Sequence, residues 1–253
     1  MDVYLAGIGN LKPQIESGIV SINGLSVLES YYDCRHNAWI ATQIPKFGKF
    51  LLDSGAFTFL GTKKDARLDW DSYADGYADF INTHKIQRFF ELDIDPILGI
   101  KGVEKLRDRI EAKTGHQTIP VWHISRGKQY FIDLCKNYNY IAFGGLMTDG
   151  VSRKTIEKYM AWFINKAHEN DCMIHGLGYT STDNLKRFHF DSVDSTSWKV
   201  GARIGFYAKF DPVKGVIFNT PKAAGQRIRD YKRIYVNDFN EWVKFQKYAI
   251  NNL

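Results

Sequence analysis

The sequence has little cysteine, no C-x-x-C pair and no apolar run that approaches the length of a membrane span. Cys34, Cys135 and Cys172 are odd in number and widely separated, which excludes a disulfide framework and a thiolate zinc site, so free thiols are expected. H-x-H and H-E-x-x-H spacings are also missing, so none of the compact helical metal signatures is present. The opening residues, MDVYLAGIGN, lack the basic and apolar regions of a signal peptide. With no membrane span, the expected location is the cytoplasm. No linker, repeat or low-complexity tract divides the chain, so residues 1–253 are expected to form a single domain.

What is present is ordinary for a globular protein: 44% hydrophobic and 25% charged residues over a chain of 253, enough to bury a large core without staples. The net charge of +6 points toward a polyanionic partner. Lys222, Arg227, Arg229, Lys232 and Arg233 stand against one acid, Asp230, at the start of a basic helical segment expected at about 221–253. Lys46, Lys49, Lys63 and Lys64 flank the sequence DSGAF. A solvated helix face is the alternative reading of such runs.

Short apolar runs alternate with longer amphipathic ones, the pattern of βα units. Strands are predicted over 3–7, 50–53, 89–93, 120–124, 140–143, 172–175, 190–193 and 216–219. Helices are predicted over 70–84, with Asp69 as N-cap, and over 105–113, 128–136, 155–170, 181–187 and 238–250. Strands each followed by a helix suit a single (β/α)8 TIM-type barrel of α/β class. A doubly wound open sheet is the alternative that periodicity leaves open.

In such a barrel, chemistry sits at the C-terminal ends of the strands. The predicted ends carry Asp53 in LLDSGAF, Asp93 and Asp95 in FFELDIDP and His123 in PVWHISRG. They also carry Gly144 and Gly145 in IAFGGL, His175, Gly176 and Gly178 in IHGLG, and Asp191 and Asp194 in FDSVDSTSW. Each has an ordinary alternative: Asp-Ser-Gly marks turns, Asp before Pro starts loops, and paired glycines serve tight packing. What these residues share is consecutive strand ends at one mouth, where converging aspartates perturb one another's protonation.

The motif order DSGAF, ELDID, VWHIS, FGGL, HGLG and VDSTSW resembles that of the tRNA-guanine transglycosylase superfamily over roughly residues 50–205. Within it, the chain looks most like the phage DpdA-type enzymes that put 7-deazaguanines into DNA. The resemblance implies that Asp194 is the covalent nucleophile, with Asp191 as the rival if the register shifts, and that Asp53 contacts the base and moves protons. It implies that Asp93 reads the guanine edge, that His123 stands where tRNA enzymes carry a glutamine, and that Gly144 and Gly145 offer backbone contacts. Ser54, Phe57 and Gly178 complete the implied base site, with Phe57, Phe59, Trp122 or Tyr179 available to stack on an extruded base. Lys63, Lys64, Arg203, Arg227, Arg229, Lys232 and Arg233 would hold phosphates. The tRNA enzymes add a zinc site of three cysteines and a histidine near the C-terminus. No cysteine follows Cys172 here, so a barrel without that zinc-binding subdomain is expected, with DNA rather than tRNA as partner.

The implied activity is exchange of guanine in DNA for a 7-deazaguanine such as 7-cyano-7-deazaguanine, through an aspartyl-glycosyl intermediate, with a free base as second substrate and no metal or cofactor. Alternatives are a tRNA-guanine transglycosylase, a metal-dependent barrel hydrolase with Asp53, His123, His175 and Asp194 as ligands, and a non-catalytic nucleic-acid-binding protein.

Overall fold

A computed structural model describes residues 1–59, 68–145, 153–220 and 230–253. The strands are β1 (Asp2–Ala6), β2 (Ser26–Ser30), β3 (Lys49–Asp53), β4 (Val121–Trp122), β5 (Tyr140–Phe143), β6 (Met173–Gly176), β7 (Ser192–Ser195), β8 (Ala208–Asp211) and β9 (Val216–Asn219). The first seven form one curled parallel sheet in the order β3-β2-β1-β7-β6-β5-β4. Most of these strands are buried on both faces, as the continuous apolar run of Asp2–Ala6 illustrates, because a parallel sheet packs helices outside and side chains inside.

Residues 88–91 lie between the two edge strands. Leu52 N–H donates to Arg88 O and Phe90 N–H to Leu52 O, while Ile119 N–H donates to Phe89 O and Glu91 N–H to Ile119 O, at 2.8 to 3.1 Å. Leu52 and Phe89, and Phe90 and Ile119, are parallel bridges. The strand expected over 89–93 is thus reduced to these bridges, since the chain turns away at Leu92 into the helix Asp95–Thr114. Tyr77 clamps the junction, its hydroxyl lying 3.2 Å from Leu52 O and 2.9 Å from Phe90 O.

Three expectations are corrected here. Among the described residues the parallel sheet has seven strands, not the eight expected of a closed barrel, because residues 88–91 make only isolated bridges. The strand at Val216–Asn219 belongs to a separate antiparallel hairpin with β8, not to the parallel sheet. Its place in the sheet is taken by Ser26–Ser30, whose short SVLES run was not predicted as a strand.

The helices expected over 70–84, 128–136, 155–170 and 181–187 form within two residues of those bounds, whereas those expected over 105–113 and 238–250 start earlier, at Asp95 and Tyr231. Lys12–Glu16, Tyr31–His36, Ala38–Gln43 and Val200–Ile204 were not expected, because five or six residues are too few to show a helical period. Trp70–His84 starts at Asp69, whose carboxylate accepts from Ser72 N–H at 3.2 Å, and buries Trp70, Tyr73, Tyr77 and Ile81 against the sheet. Gly127–Asn137, Arg153–His168 and Tyr231–Asn252 complete the outer layer. The last crosses the N-terminal edge of the sheet, where Gln246 donates to Val3 O at 2.6 Å and Ser26 O at 2.8 Å. An apolar cluster fills the concave side of the sheet with Tyr4, Ala6, Leu28, Leu51, Phe90, Ile119, Val121, Tyr140 and Ala142. No helix among the described residues is long and apolar enough to cross a membrane.

Candidate active site

All strands of the sheet run the same way, so their C-terminal ends form one rim, and a cavity of about 400 Å³ opens there. Asp53 reaches it from the end of β3, Asp93 from the loop after the Phe89–Phe90 bridges, His123 from the end of β4 and Asp194 from β7. Ser54, Phe57, Gly144, Gly145 and Gly178 also line it. The residues expected to form one base site from the sequence therefore lie around one cavity.

Asp93 is held by two side chains. His123 Nε2 lies 2.9 and 2.7 Å from its two carboxylate oxygens, and Arg126 Nη2 donates to Oδ1 at 3.0 Å. Gly144 permits this arrangement: a Cβ there would stand 2.7 Å from Val121 Cγ1 and 2.9 Å from His123 Cε1. His123 thus engages both carboxylate oxygens of Asp93, and any ligand that hydrogen-bonds Asp93 must share or displace that contact.

Beneath Asp93 lies a buried ionic network not foreseen from the sequence. Glu91 is fully buried and accepts from Arg107 Nε at 2.7 Å, Arg126 Nη1 at 2.9 Å and Val121 N–H at 2.9 Å. Arg126 also reaches Asp95 at 3.2 Å. The alternation Glu91-x-Asp93-x-Asp95 was the available signal, because residues two apart along an extended chain share a face. Nothing local in the sequence marked Arg126 or Arg107 as their partners.

Asp194 is anchored from behind. Its Oδ1 accepts from Gly178 N–H at 2.6 Å and lies 3.2 Å from His175 Nε2. Asp191, the rival nucleophile, precedes β7 at the opposite edge of the sheet, where its carboxylate accepts from Ile174 N–H at 2.7 Å and pairs with His168 at 3.0 Å.

Among the described residues, no cation forms an ion pair with Asp53. Burial pushes its carboxyl up to about 6, with the Asp194 and Asp93 charges adding to the rise and backbone N–H groups of Gly55 and Ser54 opposing it. Tyr73 fixes the loop by donating to Ser54 O at 2.7 Å. A carboxyl of this kind can exchange a proton near neutral pH. Because its folded value is raised, its stabilising contribution is full at low pH and is lost as pH rises through about 6. Glu29, buried at the end of β2 and raised to about 7 by burial, acts with the same sign. Asp53→Asn is expected to be more stable than wild type above pH 6 by at most about 3 kcal/mol, with the difference vanishing by pH 4, in urea titrations across that range.

Several proposed contacts are placed elsewhere. Trp122 and Tyr179 are fully buried, Trp122 among Phe131, Phe143 and Phe163, and so cannot stack on a base. Their residue type suits stacking, but each packs between sheet and helices. Phe59 packs edge-on against Tyr32, Trp70 and Tyr73. Phe57, 65% exposed at the rim, is the aromatic that faces the opening. Lys49 begins β3 at the edge away from the cavity and pairs with Asp2 at 2.7 Å, and Lys46 donates to Gln43. Arg203 is exposed beside Lys199, Tyr231 and Tyr235 in a second hollow that shares Thr196 with the main cavity. Lys232 and Arg233 are exposed on the first turn of the last helix. Lys63, Lys64, Lys222, Arg227 and Arg229 lie outside the described residues.

Among the described residues, the group with metal-ligand spacing is Asp93, Asp95 and His123, not the set Asp53, His123, His175 and Asp194 expected for a hydrolase. A buried Arg126 guanidinium already bridges both aspartates of that group, so a divalent cation would have to sit against a fixed positive charge. No protein-family model and no curated protein matches the chain.

Proposed function

We propose that this chain is a guanine transglycosylase that exchanges guanine in DNA for a 7-deazaguanine, on a closed (β/α)8-type barrel in which residues 88–91 supply the missing strand. The observation that carries the reading is the convergence of Asp53, Asp93 and Asp194 from separate strand ends on one cavity with His123, Gly144 and Gly145. The bridges from residues 88–91 to both sheet edges, and the apolar cluster on the concave side, support the barrel.

Asp194 attacks the sugar C1′ from the face opposite the purine, forming an ester-like glycosyl bond as the C1′–N9 bond breaks. Asp53, poised near 6, gives a proton to the departing guanine and takes one from the incoming base. The deprotonated base attacks C1′ and releases the Asp194 carboxylate, so configuration is retained through two inversions. Asp93 accepts from the N1–H and the amino group of the base, a donor pair that adenine lacks. The target nucleotide must leave the duplex stack to reach the cavity, and Phe57 is placed at its entrance. Arg203, Lys232 and Arg233 are available to the phosphates.

The test supplies duplex DNA, or tRNA in parallel, with radiolabelled guanine and counts label in the polymer. Label in DNA alone is the expected result. Label in tRNA would move the protein to the tRNA-modifying branch, and no label in either would overturn the reading.

A further inference from the structure

His175 is wholly buried on β6 and stands in register with Ser192 of β7. Its Nδ1 lies 2.5 Å from Ser192 Oγ, and Ser192 Oγ lies 2.5 Å from the Tyr140 hydroxyl. The far end of the chain of contacts sets a direction. Asp194 Oδ1 accepts from Gly178 N–H, so in a neutral ring the nitrogen facing that oxygen, Nε2, is the one that carries the proton. Nδ1 then presents its lone pair to the Ser192 hydroxyl, which leaves Ser192 Oγ to accept from the Tyr140 hydroxyl. The ring proton therefore sits on Nε2 and points at Asp194 Oδ1, 3.2 Å away. Gly178 N–H addresses the same oxygen at 2.6 Å. Both donors hold Oδ1, which leaves Oδ2 for the cavity.

We propose that Tyr140, Ser192 and His175 form a one-directional hydrogen-bond wire that positions Asp194 and selects which of its oxygens attacks the sugar. This rests on the transglycosylase reading of Asp194. Tyr140 comes from β5, His175 from β6, and Ser192 and Asp194 from β7, so the wire ties three neighbouring strands to the nucleophile. All its members are buried, where a hydrogen bond is not diluted by water and the unmade one is costly. The three residues are positioning residues: none lines the cavity.

The first measurement is the 15N spectrum of the histidine-labelled full chain, with His175 assigned by loss of its signals in His175→Gln. A lone-pair signal at Nδ1 and a protonated one at Nε2 are expected. In Ser192→Ala the two forms should mix. An imidazolium, or a proton on Nδ1, in the wild-type protein overturns the proposal. The second is kinetic: His175→Gln, whose amide can still donate toward Asp194, should keep the rate of adduct formation within about tenfold. His175→Leu should lose about 10- to 100-fold in kcat with KM for the base little changed. Equal rates for the two variants overturn the wire. Failure of the wild-type protein to exchange bases overturns the transglycosylase reading and the attacking role with it, while the nitrogen signals still decide the wire.

Discussion

Asp194→Ala is expected to lower base exchange by at least about 10⁴-fold and to remove any trapped protein–DNA adduct, because no other carboxylate can take its place. Asp53 and Asp93 share the cavity, but each is held by its own loop and partners, Asp93 by His123 and Arg126 and Asp53 by the Ser54–Gly55 backbone. On the proposed reading binding of DNA should survive, since the phosphates would meet cations outside the cavity. Asp191→Ala is the matched control. Its side chain closes a contact between β6 and the helix Arg153–His168 at the far edge of the sheet, so it should cost stability and leave exchange near the wild-type rate. Denaturing gels of the DNA-bound protein and label incorporation read the two variants side by side. An active Asp194→Ala with a dead Asp191→Ala would reverse the assignment.

Glu91→Ala is expected to cost about 3–5 kcal/mol of stability, near 10 °C in melting temperature for a chain of this size. The reason is not the strength of the pairs but what is left behind. Arg107 and Arg126 are both buried, at 5% and 6% exposure, and removal of Glu91 leaves two guanidinium groups and the Val121 N–H facing a cavity without their acceptor. Glu91→Gln keeps the shape and one acceptor, so its loss should be smaller. A double replacement of Glu91 and Arg107 by apolar residues should recover part of the difference. Function should follow stability through Arg126: it also holds Asp93 and Asp95, so the base site loosens and KM for the free base rises. Thermal melts at several pH values and KM for labelled guanine check both halves. A Glu91→Ala protein as stable as wild type would show that the network is solvated.

Much of this site was legible because a parallel α/β layout converts position in sequence into position in space. Asp53, His123, Gly144 and Gly178 each follow an apolar run, and every such run in the sheet points the same way. Periodicity also placed the longer helices, with the Asp69 cap, but not the short ones such as Tyr31–His36 and Val200–Ile204. The run SVLES escaped notice because its apolar positions are few and Glu29, on a strand buried on both faces, reads as a surface residue. Conversely VIFN looked like a barrel strand, yet Gly215 at φ +62° precedes it in the tight turn that folds it back on β8. The aromatics were the least legible, since Trp122 and Phe57 differ in role only by which side of the chain faces the core.

By itself, then, the sequence determined the parallel α/β character, the rim on which chemistry could gather and the residue types that stand there, because these depend on local pattern and chain direction. The tertiary structure decided the rest. It paired His123 and Arg126 with Asp93, buried Glu91 between two arginines and joined Asp194 to His175 and Tyr140. It also sent Asp191 to the far edge. These pairings link residues as much as 52 positions apart, and no local preference encodes which side chain meets which across neighbouring strands. Strand order and register set those meetings, and they exist only once the strands have packed on their core.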